Sequence, residues 1–248
     1  MNWHTGRLAA FDIETTGVDP EFDRIVTAAV SVVGGGLEAE HHSWLVDPGI
    51  DIPADATSVH GITTARAQAE GQSPDVATDE ITTVLADQLQ QGVPVIAFNA
   101  RFDLTILDRE ARRHGLRPLL DRVGGPHGML VVDPHVLDKQ FDRFRPGKRT
   151  LAAVCEHYRV PLDELHAANA DALAAARLAF ALGATVTELR DVDLSVLHRE
   201  QVSWAAEQAA SLEEYFRRQG RDEHVEGAWP IIPTVSRAQR SPGVSSLP

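Results

Sequence analysis

Four carboxylates and one histidine are spaced along this chain in a way that would suit metal-assisted phosphoryl chemistry. Asp12 and Glu14 stand in Phe11-Asp12-Ile13-Glu14-Thr15-Thr16-Gly17, Asp103 ends Asn99-Ala100-Arg101-Phe102-Asp103, and His166 precedes Asp171 by five positions. Hard divalent cations prefer oxygen ligands and leave positions open for water and phosphate, so such a set fits magnesium or manganese. Side chains alternate along a strand, which puts Asp12 and Glu14 on one face and Phe11 and Ile13 on the other. Taken alone, Asp-x-Glu is usually a solvated strand face. The apolar run from Leu8 to Phe11 argues instead for a central, buried strand, on which two neighbouring carboxylates repel unless a cation lies between them. Asp103 is expected near a helix N-terminus, where the dipole would hold it ionised. His166 falls on a loop and Asp171 in the first turn of the helix after it. A histidine titrating near neutral pH could take the proton of an attacking water, although surface decoration is the commoner use of such a residue.

These residues need elements to bring them together. Arg7 to Ile13 reads as a first strand, Ile25 to Val33 as a second, and Gly34-Gly35-Gly36 as the turn into a third from Leu37 to Val46. Connections this short make an antiparallel meander. Pro53 to Val59 and Thr63 to Ala69 read as short helices, and Ser73 with Pro74 as the cap and first residue of a longer one that stops at Gly92. Pro94 to Phe98 is expected as a short buried strand with a helix beginning near Arg101, and Met129 to Asp133 as the last strand. Asn99 either caps that helix or meets a substrate. Thr15-Thr16-Gly17 is either an ordinary turn or a set of hydroxyls for a terminal nucleotide. Helices follow at Thr150 to Tyr158 and about Asn169 to Leu189. Strands first, with helices threaded among them later, imply an α/β fold with a mixed sheet covered by helices.

Beyond Leu189 the character changes. Leu194, Leu197, Gln201, Ala205, Ala209, Leu212 and Phe216 recur at helical spacing, with Trp204, Gln208 and Tyr215 beside the stripe. We therefore expect a body over 1–190, one amphipathic C-terminal helix over 191–227, and a mobile tail over 228–248 in which Ala228 to Pro233 could tuck back. The stripe serves either a partner or a wider contact with the body.

A net charge of -13 argues against a protein that coats nucleic acid, since nonspecific phosphate binding is driven by lysine and arginine. It leaves room for one that grips only a strand end, where bound cations would supply the positive charge. Between Lys139 and Arg149 the balance reverses: Lys139, Arg143, Arg145, Lys148 and Arg149 face the single acid Asp142, with Phe141 and Phe144 interleaved. That loop is either solvated or able to hold a phosphate backbone and stack a base. A single cysteine, Cys155, excludes an internal disulfide, and the start of the chain has no secretory pattern. With no long uninterrupted apolar stretch, the expectation is a soluble, cytoplasmic protein without a membrane role. No phosphate-cradling glycine loop of the P-loop type is present.

In order and spacing, Asp12, Glu14, Asp103 and Asp171 with His166 resemble the three motifs of the DEDD exonucleases, in the histidine-containing, DnaQ-like branch that includes the proofreading epsilon subunit of bacterial DNA polymerase III, RNase T and oligoribonuclease. The resemblance spans about Arg7 to Leu189, and Val59-His60-Gly61-Ile62-Thr63 is similar to a segment of epsilon-like members. It implies a ribonuclease-H-like fold, a five-stranded mixed sheet flanked by helices, to which this chain adds a C-terminal helical extension. It also implies 3′ to 5′ exonuclease action with two divalent ions, Mg2+ or Mn2+, held by Asp12, Glu14, Asp103 and Asp171, with His166 as general base and nucleoside 5′-monophosphates as products. Thr15 and Thr16 would meet the terminal nucleotide, and His60, Asn99 and Phe102 would line its pocket. The expected partner is a single-stranded 3′ end, DNA being favoured, with a DNA polymerase or repair protein as a further candidate. An RNA-trimming enzyme of the same chemistry and a catalytically quiet module that binds strand ends stay open as alternatives. The basic loop and everything after Leu189 fall outside what the resemblance explains.

Overall fold

The computed structural model describes residues 2–162 and 167–234, and within them β1 (Arg7–Thr15), β2 (Ile25–Gly34) and β3 (Glu40–Leu45) form the expected antiparallel meander. Gly34, Gly35 and Gly36 all take positive φ, the backbone that side chains resist, so the glycine run turns the chain tightly between β2 and β3. Two short helices, α1 (Ala54–His60) and α2 (Thr64–Glu70), lead to α3 (Pro74–Gln90). Then β4 (Val95–Ile96) pairs parallel to β1, α4 (Ala100–Arg113) and α5 (Leu119–Arg122) follow, and β5 (Val131–Val132) pairs parallel to β4. The sheet order is β3-β2-β1-β4-β5, a mixed five-stranded sheet with β1 at its centre.

Helices cover both faces. On one side Ile81 and Leu85 of α3 and Leu104 and Leu107 of α4 pack with Phe11, Val30 and Val95 in the main core. On the other lies α8 (Ala168–Thr185), preceded by α6 (Pro134–Phe141) and α7 (Leu151–Tyr158) and followed by α9 (Thr187–Arg190). Its Ala172 and Ala176 sit directly on Ala10 of β1, and small side chains at all three positions let helix and strand approach closely.

The last helix, α10 (Leu194–Arg218), ends well short of Glu226. Gly220 takes φ +74° just beyond it and reverses the chain. Leu197, Gln201, Ala205 and Ala209 of the stripe are buried, so its first half belongs to the body rather than to a detached extension. Gln201 shows why. Its Oε1 accepts the Asp133 N–H at 2.8 Å and its Nε2 donates to the Val131 carbonyl at 3.0 Å, while His198 Nδ1 accepts the Val131 N–H at 3.2 Å. The helix thus supplies side-chain partners to the open edge of β5, which would otherwise present unpaired backbone groups.

The expectation of a mobile tail from residue 228 is corrected for 228–234. Trp229 is buried in the main core, Ile231 packs against it, and the Ile232 N–H donates to Thr105 Oγ1 at 3.0 Å. The chain therefore returns over α4, and the serine- and proline-rich end beyond 234 lies outside the described residues. No helix among the described residues is long and apolar enough to cross a membrane.

Candidate active site

The parallel strands β1 and β4 point their carboxyl ends the same way, and the site forms at that edge. Asp12 and Glu14 follow Ala10 at two-residue steps and so share its face, toward α8. Asp171 lies in the first turn of α8, one position before the Ala172 that packs on Ala10. Consequently Asp12, Glu14 and Asp171 each bring a carboxylate oxygen into a group in which all three lie within 4.8 Å of one another.

Asp103 arrives from the other side. The Ala9 N–H donates to the Pro94 carbonyl, so β1 turns the N–H groups of its odd-numbered residues toward β4. By Ile13 the paired register has run out at Ile96, and Asp103 Oδ1 on α4 accepts the Ile13 N–H at 3.2 Å. That bond pins the first turn of α4 to β1 between the two carboxylates.

The electrostatics are those of a crowded anionic cluster. Burial, then Asp103, Asp171 and Glu14 in that order, push the Asp12 pKa well above the usual carboxylate range. Burial and Asp171 raise Glu14 to about 7. Asp103 is also raised, chiefly by burial, although its backbone hydrogen bonds oppose the shift. For Asp103, burial thus works against the helix dipole that would favour its ionised form. All-oxygen donors that repel one another at this range fit a divalent cation, whose charge removes the reason for the upward shifts.

A pH dependence follows from these shifts. A carboxyl whose pKa is higher folded than unfolded binds more protons in the folded state, so stability is lost as pH rises through the interval, here from about 4.5 to about 7 for Glu14. A divalent ion should offset that loss, and bind poorly where the carboxyls are protonated. Thermal melts with EDTA or manganese should therefore show a larger metal-induced rise in Tm at about pH 7.5 than at about pH 5. Equal rises at both values would mean that the ion binds elsewhere.

The other expected site residues fare unevenly. Thr15 Oγ1 donates to the Gly17 carbonyl at 2.6 Å, and Thr16 Oγ1 donates to Asp23 Oδ1 at 2.7 Å while accepting the Arg24 N–H at 3.0 Å. Both hydroxyls hold the turn after β1 together rather than facing outward. A Cβ on Gly17 would sit 2.5 Å from Asp23 Oδ2, so glycine is what lets that turn close. His60 ends α1 with its ring against the Thr15 backbone and its Nδ1 accepting the Ile62 N–H at 3.1 Å; burial lowers its pKa. Phe102 is half-buried against the main core. His166 lies outside the described residues.

Asn99 stands at the N-cap position of α4, but its side chain does not cap the helix. It sits in the left-handed region (φ 64°, ψ 44°) with no capping bond from its side chain, and its own N–H donates to Asp133 Oδ1 at 2.9 Å. Asp133, read from sequence only as the end of a strand, is the residue that organises this edge. It accepts hydrogen bonds from the Asn99, Ala100 and His135 N–H groups and from Trp229 Nε1, four in all. Asp133-Pro134 carried the signal, a cap residue followed by proline at the first helical position. The basic loop is likewise reassigned in part. Lys139 and Phe141 belong to α6, Phe141 packs edge-on against Trp204, and Arg145 and Arg149 turn inward onto the buried Asp138.

A family model described as an exonuclease, RNase_T, matches residues 9–179, the part of the chain that holds all four carboxylates. This chain belongs to that exonuclease family. The exonuclease class expected from the motifs is therefore its class. PolC-type DNA polymerase III of Streptococcus agalactiae is 29% identical over 197 residues, covering 77% of this chain and 12% of that protein. PolC-type DNA polymerase III of Lacticaseibacillus paracasei is 27% identical over 178 residues, covering 72% and 11%. The chain thus spans about an eighth of the length of these relatives. Among solved structures, E. coli Exonuclease I in complex with a dT13 oligonucleotide superposes with a TM-score of 0.63 at 18% identity, over 75% of this chain and 42% of that one. Exonuclease I from Methylocaldum szegediense does so with a TM-score of 0.59 at 21% identity, over 74% and 42%. These likenesses establish a shared ribonuclease-H-like exonuclease fold.

Proposed function

We propose that this family member removes nucleotides singly from the 3′ end of single-stranded DNA and releases nucleoside 5′-monophosphates. The observation that carries the proposal is the convergence of Asp12, Glu14 and Asp171 within 4.8 Å, with Asp103 tied to the same strand. Those four residues would hold two divalent ions, Mg2+ or Mn2+. When bound, such ions stabilise the charge that develops on the attacking and leaving oxygens.

The protein's own contributions are positional and protolytic. β1 and α8 fix three carboxylates on one side, and the Ile13 N–H fixes Asp103 on the other. His166, assigned by motif and by its place before Asp171, would accept the proton of the attacking water as the new P–O bond forms and the 3′ oxygen departs. His60, Asn99, Phe102 and the backbone of Thr15 and Thr16 remain the proposed walls for the terminal nucleotide. DNA is favoured over RNA because the relatives are DNA polymerases and a solved neighbour holds dT13. A DNA polymerase is the partner that the PolC likeness supports.

The test is a digestion ladder on matched 5′-labelled DNA and RNA oligonucleotides with manganese, using Asp12→Ala as control. Stepwise shortening of DNA, absent in the control, is the expected result. Shortening of RNA alone would replace the substrate assignment, and cleavage of neither would replace the enzyme by a strand-end binding module.

A further inference from the structure

The residues between α6 and the second half of α10 form a groove whose chemistry the carboxylate site does not use. It encloses about 310 Å³ and is lined by Lys139, Arg143, Arg149, Gln208, Leu212 and Tyr215. Glu207 is the one carboxylate on its wall. Asp138 already engages Arg145 and Arg149, which leaves Lys139 and Arg143 without an ion pair among the described residues. Tyr215 is 56% exposed at the far end, although it lies on the same helix as the buried stripe.

The groove adjoins a second cavity at the end of β4. Lys139, Gln208 and Leu212 also line this narrower cavity, with Asn99, Arg101 and His135. Asn99 follows β4, the parallel neighbour of β1, at the same sheet edge as Asp12 and Glu14. Phe98 packs against His135 there, ring centroids 5.2 Å apart. Burial lowers the Lys139 pKa, with Arg101 and Arg149 adding to the shift and Asp133 and Asp138 opposing it, so a bound anion would favour the charged ammonium. In a chain of net charge -13, an apposition of unpaired cations beside an exposed aromatic ring is a local reversal, and phosphates with unstacked bases match both features.

We infer that this groove carries the phosphate backbone of the single strand upstream of the terminal nucleotide, with Lys139 and Arg143 on phosphates and Tyr215 as a stacking platform for a base. The inference deepens the exonuclease reading and gives the C-terminal helix a role in substrate binding. It also explains why only half of the α10 stripe is buried: Leu197 to Ala209 cover β5, whereas Leu212 and Tyr215 wall the groove.

Fluorescence anisotropy on the full chain tests it, in an Asp12→Ala background with manganese so that the probe is not consumed. The probes are 5′-fluorescein oligothymidylates of about twenty and about three nucleotides, the longer exceeding a typical single-strand site. Lys139→Gln with Arg143→Gln should weaken the longer probe about tenfold, and reduce the slope of log affinity against log salt by about 1.4, or about 0.7 per lost phosphate contact. Tyr215→Ala should weaken it about fivefold or more. The short probe should change less than about twofold in each case, because its contacts end at the carboxylate edge. Unchanged affinity for the longer probe in both variants, or equal losses for both lengths, would overturn the inference. Arg143 and Tyr215 are exposed, so their single variants keep the test open if the Lys139 change disturbs folding. Should the parent chain cleave nothing while length-dependent losses persist, the groove stands and the exonuclease reading falls.

Discussion

Asp12→Ala is expected to abolish cleavage while leaving a protein at least as stable as its parent in the absence of metal. Asp12 is the carboxylate that feels Asp103, Asp171 and Glu14 together, so it stands where carboxylates from β1, α4 and α8 meet. If Asp12 holds the proposed ions, removing it costs a rate loss of at least about 10³-fold when only a few kcal/mol of charge stabilisation are lost. The same deletion removes a carboxylate that three neighbouring carboxylates repel. With EDTA, relief of order 1 kcal/mol should raise Tm by about 2–4 °C at this chain length.

With manganese in excess the ranking should reverse. The parent gains binding free energy that the variant cannot, about 2.7 kcal/mol at a metal concentration one hundred times Kd. Paired scanning calorimetry of parent and variant, with EDTA and with manganese, checks both signs, and the labelled-oligonucleotide ladder checks the rate. Full turnover by the variant would refute the site. A lower Tm than the parent in EDTA would make Asp12 a structural residue whose charge is satisfied by something other than a cation.

How much of this was legible in sequence depends on whether a residue's partners are local. The meander of β1 to β3 was readable because its apolar runs and the glycine turn are contiguous. Asp12 and Glu14 were placed on one face by strand alternation alone, and three motifs in order identified the class. Residues whose partners come from elsewhere were not readable. Thr15 and Thr16 looked available until Gly17 and Asp23 engaged them across a turn. Arg145 and Arg149 looked like a solvated or phosphate-holding pair, because nothing in the sequence says that Asp138 is buried beneath them. The helical stripe of α10 was visible. That Gln201 lies in it to complete the edge of β5 depends on where β5 falls in the sheet. Asp133 is the sharpest case, since its role exists only once β4 and β5 are known to be parallel neighbours.

Asp133→Ala should therefore cost far more stability than its position at the end of a two-residue strand suggests. The carboxylate is 1% exposed and accepts four hydrogen bonds that join the start of α4, the start of α6 and the returning segment at Trp229. Burial raises its pKa while those donors oppose the rise, so the fold holds an unsolvated carboxyl by surrounding it with N–H groups. Alanine would strand three backbone donors and an indole N–H with nothing of the right shape to replace the oxygen atoms. Each stranded donor costs about 1–3 kcal/mol if water cannot reach it. Allowing for relaxation, we expect a loss of about 3–5 kcal/mol, read as a lower urea midpoint at unchanged slope. Trp229→Phe removes only one of the four bonds and keeps most of the ring's packing, so it should lose much less. Cleavage by Asp133→Ala should also fall under conditions where it remains folded, since Asp103 sits on the helix whose first residues have lost their anchor. A loss below about 1 kcal/mol would show that water or a neighbouring oxygen takes over the donors. The edge would then be held by packing rather than by this carboxylate.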